Sequence, residues 1–265
     1  YKLILDFAGL ATLAGLGVAA WSRWIKKSVS LEASPRFAML IGSLALIIIT
    51  GFFLEALRLA AQKPAWAGWS FVGNFIATTL FSGVSAEKLE TAHLILWWIH
   101  GIGSLAFIAS IPLNFFSHMF KTPWNIFEQK LEPMGAAPKI DNIEEQETFG
   151  ISQMKQFTWK DRLDFASCTE CARCSAVCPA VKMGTPLDPK NVVLKLQHAF
   201  ANGGENEPTE KFISEDELWA CTTCGACTNA CPSRINLPDA IVKMRTHYAL
   251  EEGKFPPGVA KTLQN

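Results

Sequence analysis

The sequence predicts an all-α chain in two parts, a transmembrane helical bundle followed by an α-helical domain organised by cysteines. Three observations carry this expectation. Residues 1–120 are long apolar runs with few charges, whereas residues 121–265 are polar, rich in proline and glycine, and hold all eight cysteines. The apolar runs reach the length of roughly 20 residues that a hydrocarbon core requires. The cysteines form two identically spaced runs, and the segments around them carry helix-start signals. Across all 265 residues the chain is 49% hydrophobic and 18% charged with zero formal net charge, averages that hide the split. Neutrality, with no basic cluster beyond a Lys/Arg pair, argues against nucleic-acid binding. The expected domains are therefore 1–120 in the membrane, a linker over 121–155, and a cysteine domain over 156–265.

The first span runs from Leu3 to Trp21, with Asp6 its only charge and near one end. The second, Phe37 to Leu54, has no charged residue, and the third, Thr91 to Phe120, has none in thirty positions. Residues 66–83 mix Trp, Gly and Phe with Ser, Thr and Asn, and read as a helix lying in the interface rather than a fourth crossing. Arg23, Lys26, Lys27 and Arg36 follow the first span, while Lys63 and Lys88 after the second are offset by Glu87 and Glu90. By the positive-inside bias, three crossings place the first loop and everything after residue 120 on the cytoplasmic side of the membrane. A reducing compartment suits unpaired thiols.

The third span holds His93, His100 and His118. At 100° per residue the three fall near one face of a continuous helix, although Pro112 can kink it and shift the phase. His100 and His118 would lie about 27 Å apart along the axis, too far for one cofactor but suited to two stacked ones. Neutral imidazole is the usual axial ligand of haem iron, and an ionisable group within a span is a functional candidate. The plainer reading is that such histidines bond neighbouring helices or sit at the interfaces, and His93, near the outer end, fits it best. Glu55 and Arg58 are charged at the outer end of the second span, where interfacial anchoring is the plain reading.

In the polar half, "CTECARCSAVCP" (168–179) and "CTTCGACTNACP" (221–232) are both C-x2-C-x2-C-x3-C-P, repeated at an offset of 53 residues. In the two-cluster ferredoxin arrangement, three cysteines of one run and the last of the other hold each [4Fe–4S] cubane. That assigns Cys168, Cys171, Cys174 and Cys231 to one cluster, and Cys221, Cys224, Cys227 and Cys178 to the other. Structural zinc, the competing reading of paired CxxC units, needs neither the fourth cysteine of each run nor the proline after it. Each fourth cysteine is expected to open a helix. Asp188 reads as an N-cap before Pro189, with Val192, Val193 and Leu196 on one face, and Ser214 with Glu217 reads as a capping box. These inserts make the domain helical, with His198 and His247 on its surface. Residues 132–150 have linker composition. No nucleotide-binding glycine pattern or nucleophile triad is present, so electron transfer, rather than bond-making chemistry, is the function in view.

"FLEALRLA" (53–60), "WWIHGIG", "IPLNFFSHMFKTPWNIF", "FTWKDRLDFASCTECARCSAVCP" and "ELWACTTCGACTNACP" together resemble bacterial and archaeal membrane iron–sulfur oxidoreductases. In these a nitrate reductase gamma-subunit-like cytochrome b domain is fused to a heterodisulfide reductase-like region. The resemblance implies five helices holding two b haems, the last helix supplying two histidines eighteen residues apart, which His100 and His118 match. The three spans here then correspond to the last three of five. The partner histidines would come from helices preceding Tyr1, and cysteine-rich CCG modules would follow Asn265. It also implies a membrane quinone as substrate and a cytoplasmic redox partner, such as an electron-transfer flavoprotein or a heterodisulfide reductase-type subunit, in a multi-subunit complex. Two other functions stay open: a heterodisulfide or thiol–disulfide reductase whose catalytic module lies outside this chain, and a haem-free membrane anchor for a ferredoxin module.

Overall fold

The computed structural model describes residues 1–26, 34–131, 144–145 and 148–263. The chain divides into two compact units, Tyr1–Phe116 and Ser117–Asn265. Every regular element among the described residues is helical, and the only bridge pairs Gln153 with Pro208.

The first unit holds α1 (Lys2–Ala20), α2 (Pro35–Gln62), α3 (Phe71–Leu80) and α4 (Ala86–Ser110). α1 continues into one π-helical turn, Trp21–Ile25. Lys27, part of the basic loop, lies outside the described residues. α2 begins with Pro35 at its first position, where a missing N–H costs nothing, and ends where Lys63 turns left-handed (φ 44°). Three stretches, Lys2–Ile25, Pro35–Gln62 and Ala86–Leu113, are long and apolar enough to cross a membrane. Their side chains stay open rather than packed: Leu94, Ile95, Trp98, Ile102 and Leu105 of α4 are all more than half exposed, as a lipid-facing surface would be. Ten residues make α3 about 15 Å long, half a crossing. Ala56 and Leu59 of α2 bury against Ala77 of α3.

The third span is not one helix from Thr91 to Phe120. α4 stops at Ser110, and two short 3-10 turns, Ile111–Leu113 and Phe115–Ser117, follow before a new helix opens at His118. Pro112 supplies no N–H, and Asn114 takes over the local bonding. Its side chain donates to Ser110 Oγ (3.0 Å) and accepts from the Phe116 N–H (2.8 Å). An asparagine that bonds its own backbone in this way offers the chain an alternative to helix. The expectation of one shared helical face for His93, His100 and His118 therefore fails for His118.

The second unit opens with α5 (His118–Phe127), which takes in the end of the expected third span and the start of the expected linker; of that linker, residues 132–143, 146 and 147 lie outside the described residues. It continues with α6 (Trp159–Ala166), α7 (Arg173–Val177), α8 (Pro179–Lys182), α9 (Pro189–Ala201), α10 (Glu215–Trp219), α11 (Ala226–Ala230), α12 (Leu237–Leu250) and α13 (Pro257–Leu263). Asp188 caps α9 by accepting from the Lys190 N–H (2.9 Å), and Ser214 with Glu217 closes the capping box of α10. An unforeseen second box, Thr158 with Asp161, starts α6. Met154, Phe165, Val192, Leu196, Ile213, Leu218, Ile241 and Met244 form a fully buried core. Gly150 (φ 72°) enters against α12, where a Cβ would lie 2.3 Å from the His247 backbone nitrogen; only glycine fits.

The repeat in the sequence reappears as a repeat of interactions. Lys195 of α9, after the first run, pairs with Glu217 of α10, before the second (2.6 Å). Lys243 of α12, after the second run, pairs with Asp161 of α6, before the first (2.7 Å). Each lysine thus meets the capping-box carboxylate of the opposite half.

Candidate functional site

The two cysteine runs adopt the same local geometry. Glu170 and Ala172 of the first, and Thr223 and Gly225 of the second, all have φ between 52° and 72°. Left-handed residues at alternate positions curl the backbone tightly. One consequence is visible at Cys221, whose Sγ accepts from the Thr223 N–H at 3.4 Å. The equivalent N–H of Glu170 bonds Cys168, and those of Ser175 and Thr228 bond Cys174 and Cys227. The loops therefore present backbone donors to sulfur from both halves.

All eight cysteines are free thiols, and they wall two cavities. One, of about 420 Å³, is lined by Cys168, Cys171, Cys174, Cys227 and Cys231. The other, of about 340 Å³, is lined by Cys178, Cys221, Cys224 and Cys227. In each cavity three cysteines of one run meet the last cysteine of the other, and Cys227 lines both cavities. Among the described residues no three His, Cys, Asp or Glu side chains converge on a point that would seat a single ion. The thiols surround a volume instead. Cys171 and Cys224 are exposed, so each cavity has an open rim. Of the two fourth cysteines, Cys178 opens a helix, α8, as expected; Cys231 does not, being followed by a turn in which Arg234 is left-handed (φ 55°).

Burial pushes the Cys168 and Cys227 thiols up to about 12 and Cys174 to about 11, with backbone donors opposing. Cys224, open to solvent and bonded by the Ala226 N–H, moves the other way. A set of soft sulfur donors, mostly shielded from water and supplied with N–H donors, suits a polynuclear iron–sulfur group.

The sequence did not point to the polar network that fastens α5 beside the first cavity. Asn125 is fully buried; it donates to Asp164 Oδ1 (2.7 Å) and to the Ser233 carbonyl (2.9 Å), and accepts from Lys160 (2.9 Å). Ser233 Oγ donates to the Ser167 carbonyl (3.0 Å), and Ser167 Oγ to the Lys121 carbonyl (3.3 Å). Ser167 precedes Cys168 and Ser233 follows Cys231 by two, so α5 is held to both ends of one thiol set. Burial raises the Asp164 carboxyl above its ordinary range, against the pull of Asn125 and Lys160. Such a network has no sequence signature, because its members are distant in the chain.

In the first unit, His100 Nδ1 lies 2.8 Å from Thr50 Oγ1 on α2. Thr50 Oγ1 is also 2.8 Å from the Leu46 carbonyl. His93 sits seven positions earlier on α4, and His118 heads α5 in the second unit. Glu55 pairs with Lys2 (2.6 Å), whose ammonium lies over Trp66, as does the Arg58 guanidinium. Asp6, a stray charge by sequence alone, is buried and accepts from the Val72 N–H (2.8 Å), satisfying a free donor in the first turn of α3.

Residues 160–232 match the model of the 4Fe-4S dicluster domain family. Relatives extend the likeness. The chain is 30% identical, over 97% of its length, to an EtfAB:quinone oxidoreductase of Syntrophomonas wolfei, of which it spans 41%. It is 32% identical, over 81% of its length, to a probable membrane-anchored ferredoxin of Chromohalobacter salexigens, of which it spans 35%. Over 36% of its length it is 32% identical to one subunit, spanning 52% of it, of the ferredoxin:CoB-CoM heterodisulfide reductase of Methanosarcina mazei. The chain therefore spans less than half of the first two of these relatives, whose names describe an oxidoreductase and a ferredoxin. No solved structure matches it.

Proposed function

We propose that this chain is the electron-transfer portion of a quinone-linked, membrane-bound iron–sulfur oxidoreductase. It would exchange electrons between a membrane quinone and a redox protein on the cytoplasmic side. The observation that carries the proposal is one chain joining three helices of membrane-spanning length to a domain whose eight thiols wall two cavities. Bound there, two [4Fe–4S] clusters would supply one-electron carriers. Cys168, Cys171, Cys174 and Cys231 would hold one, and Cys221, Cys224, Cys227 and Cys178 the other. The surrounding residues aim N–H groups at these thiols, which favours the anionic sulfur a cluster needs against the opposing effect of burial. The EtfAB:quinone relative supports a quinone and an electron-transfer flavoprotein as partners. The heterodisulfide reductase relative supports a second docking partner of that type for the cysteine half. The Lys/Arg excess around Arg23, Lys26 and Arg36 supports the cytoplasmic placement.

Haem b in the membrane half belongs to the same proposal, with His100 and His118 as axial ligands and the opposite ligands from outside this chain. Support for His100 comes from its neighbour. The Thr50 hydroxyl has one hydrogen, and spending it on the Leu46 carbonyl leaves its oxygen to accept from Nδ1–H. Nε2 then keeps its lone pair, the tautomer an axial ligand requires. Glu55, held by Lys2, is the candidate for proton exchange with quinone.

The full-length protein purified from membranes tests this. We expect roughly eight iron and eight labile sulfide per chain, and after reduction the EPR spectrum of two interacting S = 1/2 centres. A metal content dominated by zinc would refute the clusters. Absence of b-type bands from the reduced spectrum would refute the haem part alone.

A further inference from the structure

The two cysteine runs are near-copies, yet their surroundings differ in charge. Aligning the matched lysines, Lys195 with Lys243, sets Arg245 of α12 opposite Gln197 of α9. Arg245 turns toward the second run. Its Nε donates to the Leu218 carbonyl (2.9 Å), and Nη2 donates to the carbonyls of Leu218 and Cys221, the latter at 2.6 Å. The guanidinium lies over the Trp219 ring, 5.1 Å from its centroid. A partly buried cation is thus fixed by three hydrogen bonds and an aromatic face, one of the bonds on the backbone of a cavity-lining cysteine. Guanidinium keeps its charge at any working pH, so the field at this site is permanent.

The hydroxyls differ as well. Ser175, after Cys174, donates to Asp188 Oδ1 (2.5 Å) and also acts on the Cys174 sulfur. Its counterpart Thr228, after Cys227, has a buried Oγ1 with no hydrogen-bond partner by geometry, although it acts on the Cys227 sulfur electrostatically. Lys190 lies buried along the first cavity, so that site is not without a cation of its own. At the second site the cation is bonded directly to the carbonyl of a cavity-lining cysteine.

Resting on the reading of these thiols as cluster ligands, we infer that Arg245 is a positioning residue that raises the reduction potential of the cluster held by Cys221, Cys224, Cys227 and Cys178. Reduction adds one negative charge to a cluster, and a fixed positive charge stabilises that state more than the oxidised one. The other cluster should be nearly indifferent to Arg245.

The test is an EPR-monitored redox titration of the full-length, cluster-loaded protein and its R245Q and R245K variants. Glutamine still reaches one carbonyl but has no charge; lysine keeps the charge and loses the fork. In R245Q one midpoint falls by about 59 mV, a tenfold change in the oxidised-to-reduced ratio of a one-electron couple, while the other stays put. In R245K both remain near the wild-type values. An R245Q protein with both midpoints unchanged, or both lowered alike, overturns the inference. Should R245Q fail to retain two clusters, R245K decides: wild-type midpoints support the role of charge, and a tenfold displacement despite the charge overturns it. A wild-type protein lacking clusters would instead sink the reading of the thiols, a distinguishable failure.

Discussion

At the scale of single residues, the two cysteine loops ask the same backbone of different side chains. Gly225 takes its left-handed conformation freely, but Ala172, at the matching position with φ 57°, does so against the Cβ penalty of about 1 kcal/mol. A172G should therefore stabilise the cluster-loaded domain by up to about 1 kcal/mol, and G225A should destabilise it by a similar amount. Thermal loss of the cluster absorbance would read both, and a shift of the same sign in the two variants would contradict the argument. Thr223 is a β-branched residue at φ 55°, a genuine outlier whose N–H reaches Cys221. The cysteine spacing was legible in the sequence. The left-handed turns were not, because only one of the four positions is glycine.

At the scale of elements, helix starts were easier to read than helix ends. Asp188 and the Ser214–Glu217 box announce α9 and α10 because capping is local chemistry. The break after Ser110 was missed because its decisive agent is Asn114, a residue unremarkable in an apolar run, and Pro112 alone did not settle where the helix would stop. That break removes the geometric argument that set His118 in phase with His100, leaving His100 with the better structural support. The bond between α2 and α4 gives a prediction at this scale. T50V should lose low-spin b-type haem toward the level of H100A, whereas T50S, which keeps the hydroxyl, should retain it; reduced-minus-oxidised spectra of the membranes report the content. Equal haem in T50V and wild type would make the contact merely a link between helices.

At the scale of the whole molecule, the division into apolar and cysteine-bearing halves was plain from composition, while the fastening of α5 by Asn125, Lys160 and Asp164 was not. Contacts between residues 35 to 111 positions apart leave no mark in local sequence. Thiol protonation also acts at this scale. Clusters bind thiolates, so loading the cluster-free domain displaces protons from groups that burial holds near 11 and 12. With every such pKa above the working range, affinity rises with pH; reconstitution yield should increase from about pH 7 to about pH 9. Cys224, the thiol shifted downward and exposed, should be alkylated before Cys168, Cys174 and Cys227 in the cluster-free chain. Mass-spectrometric labelling order checks this, and a slow Cys224 would contradict it.

The crossed lysine–carboxylate pairs and crossed thiols have a consequence for damage and inheritance. Neither half of the cysteine domain owns a complete binding set; each depends on its sibling for a sulfur and for a buried counter-ion. With the proposed ligand sets, oxidising one cubane would disturb the loop that supports its neighbour, and the pair would degrade together. The same interlocking constrains divergence, since the halves can drift in the residues around each cavity, as Arg245 and Gln197 have, but neither half can be discarded.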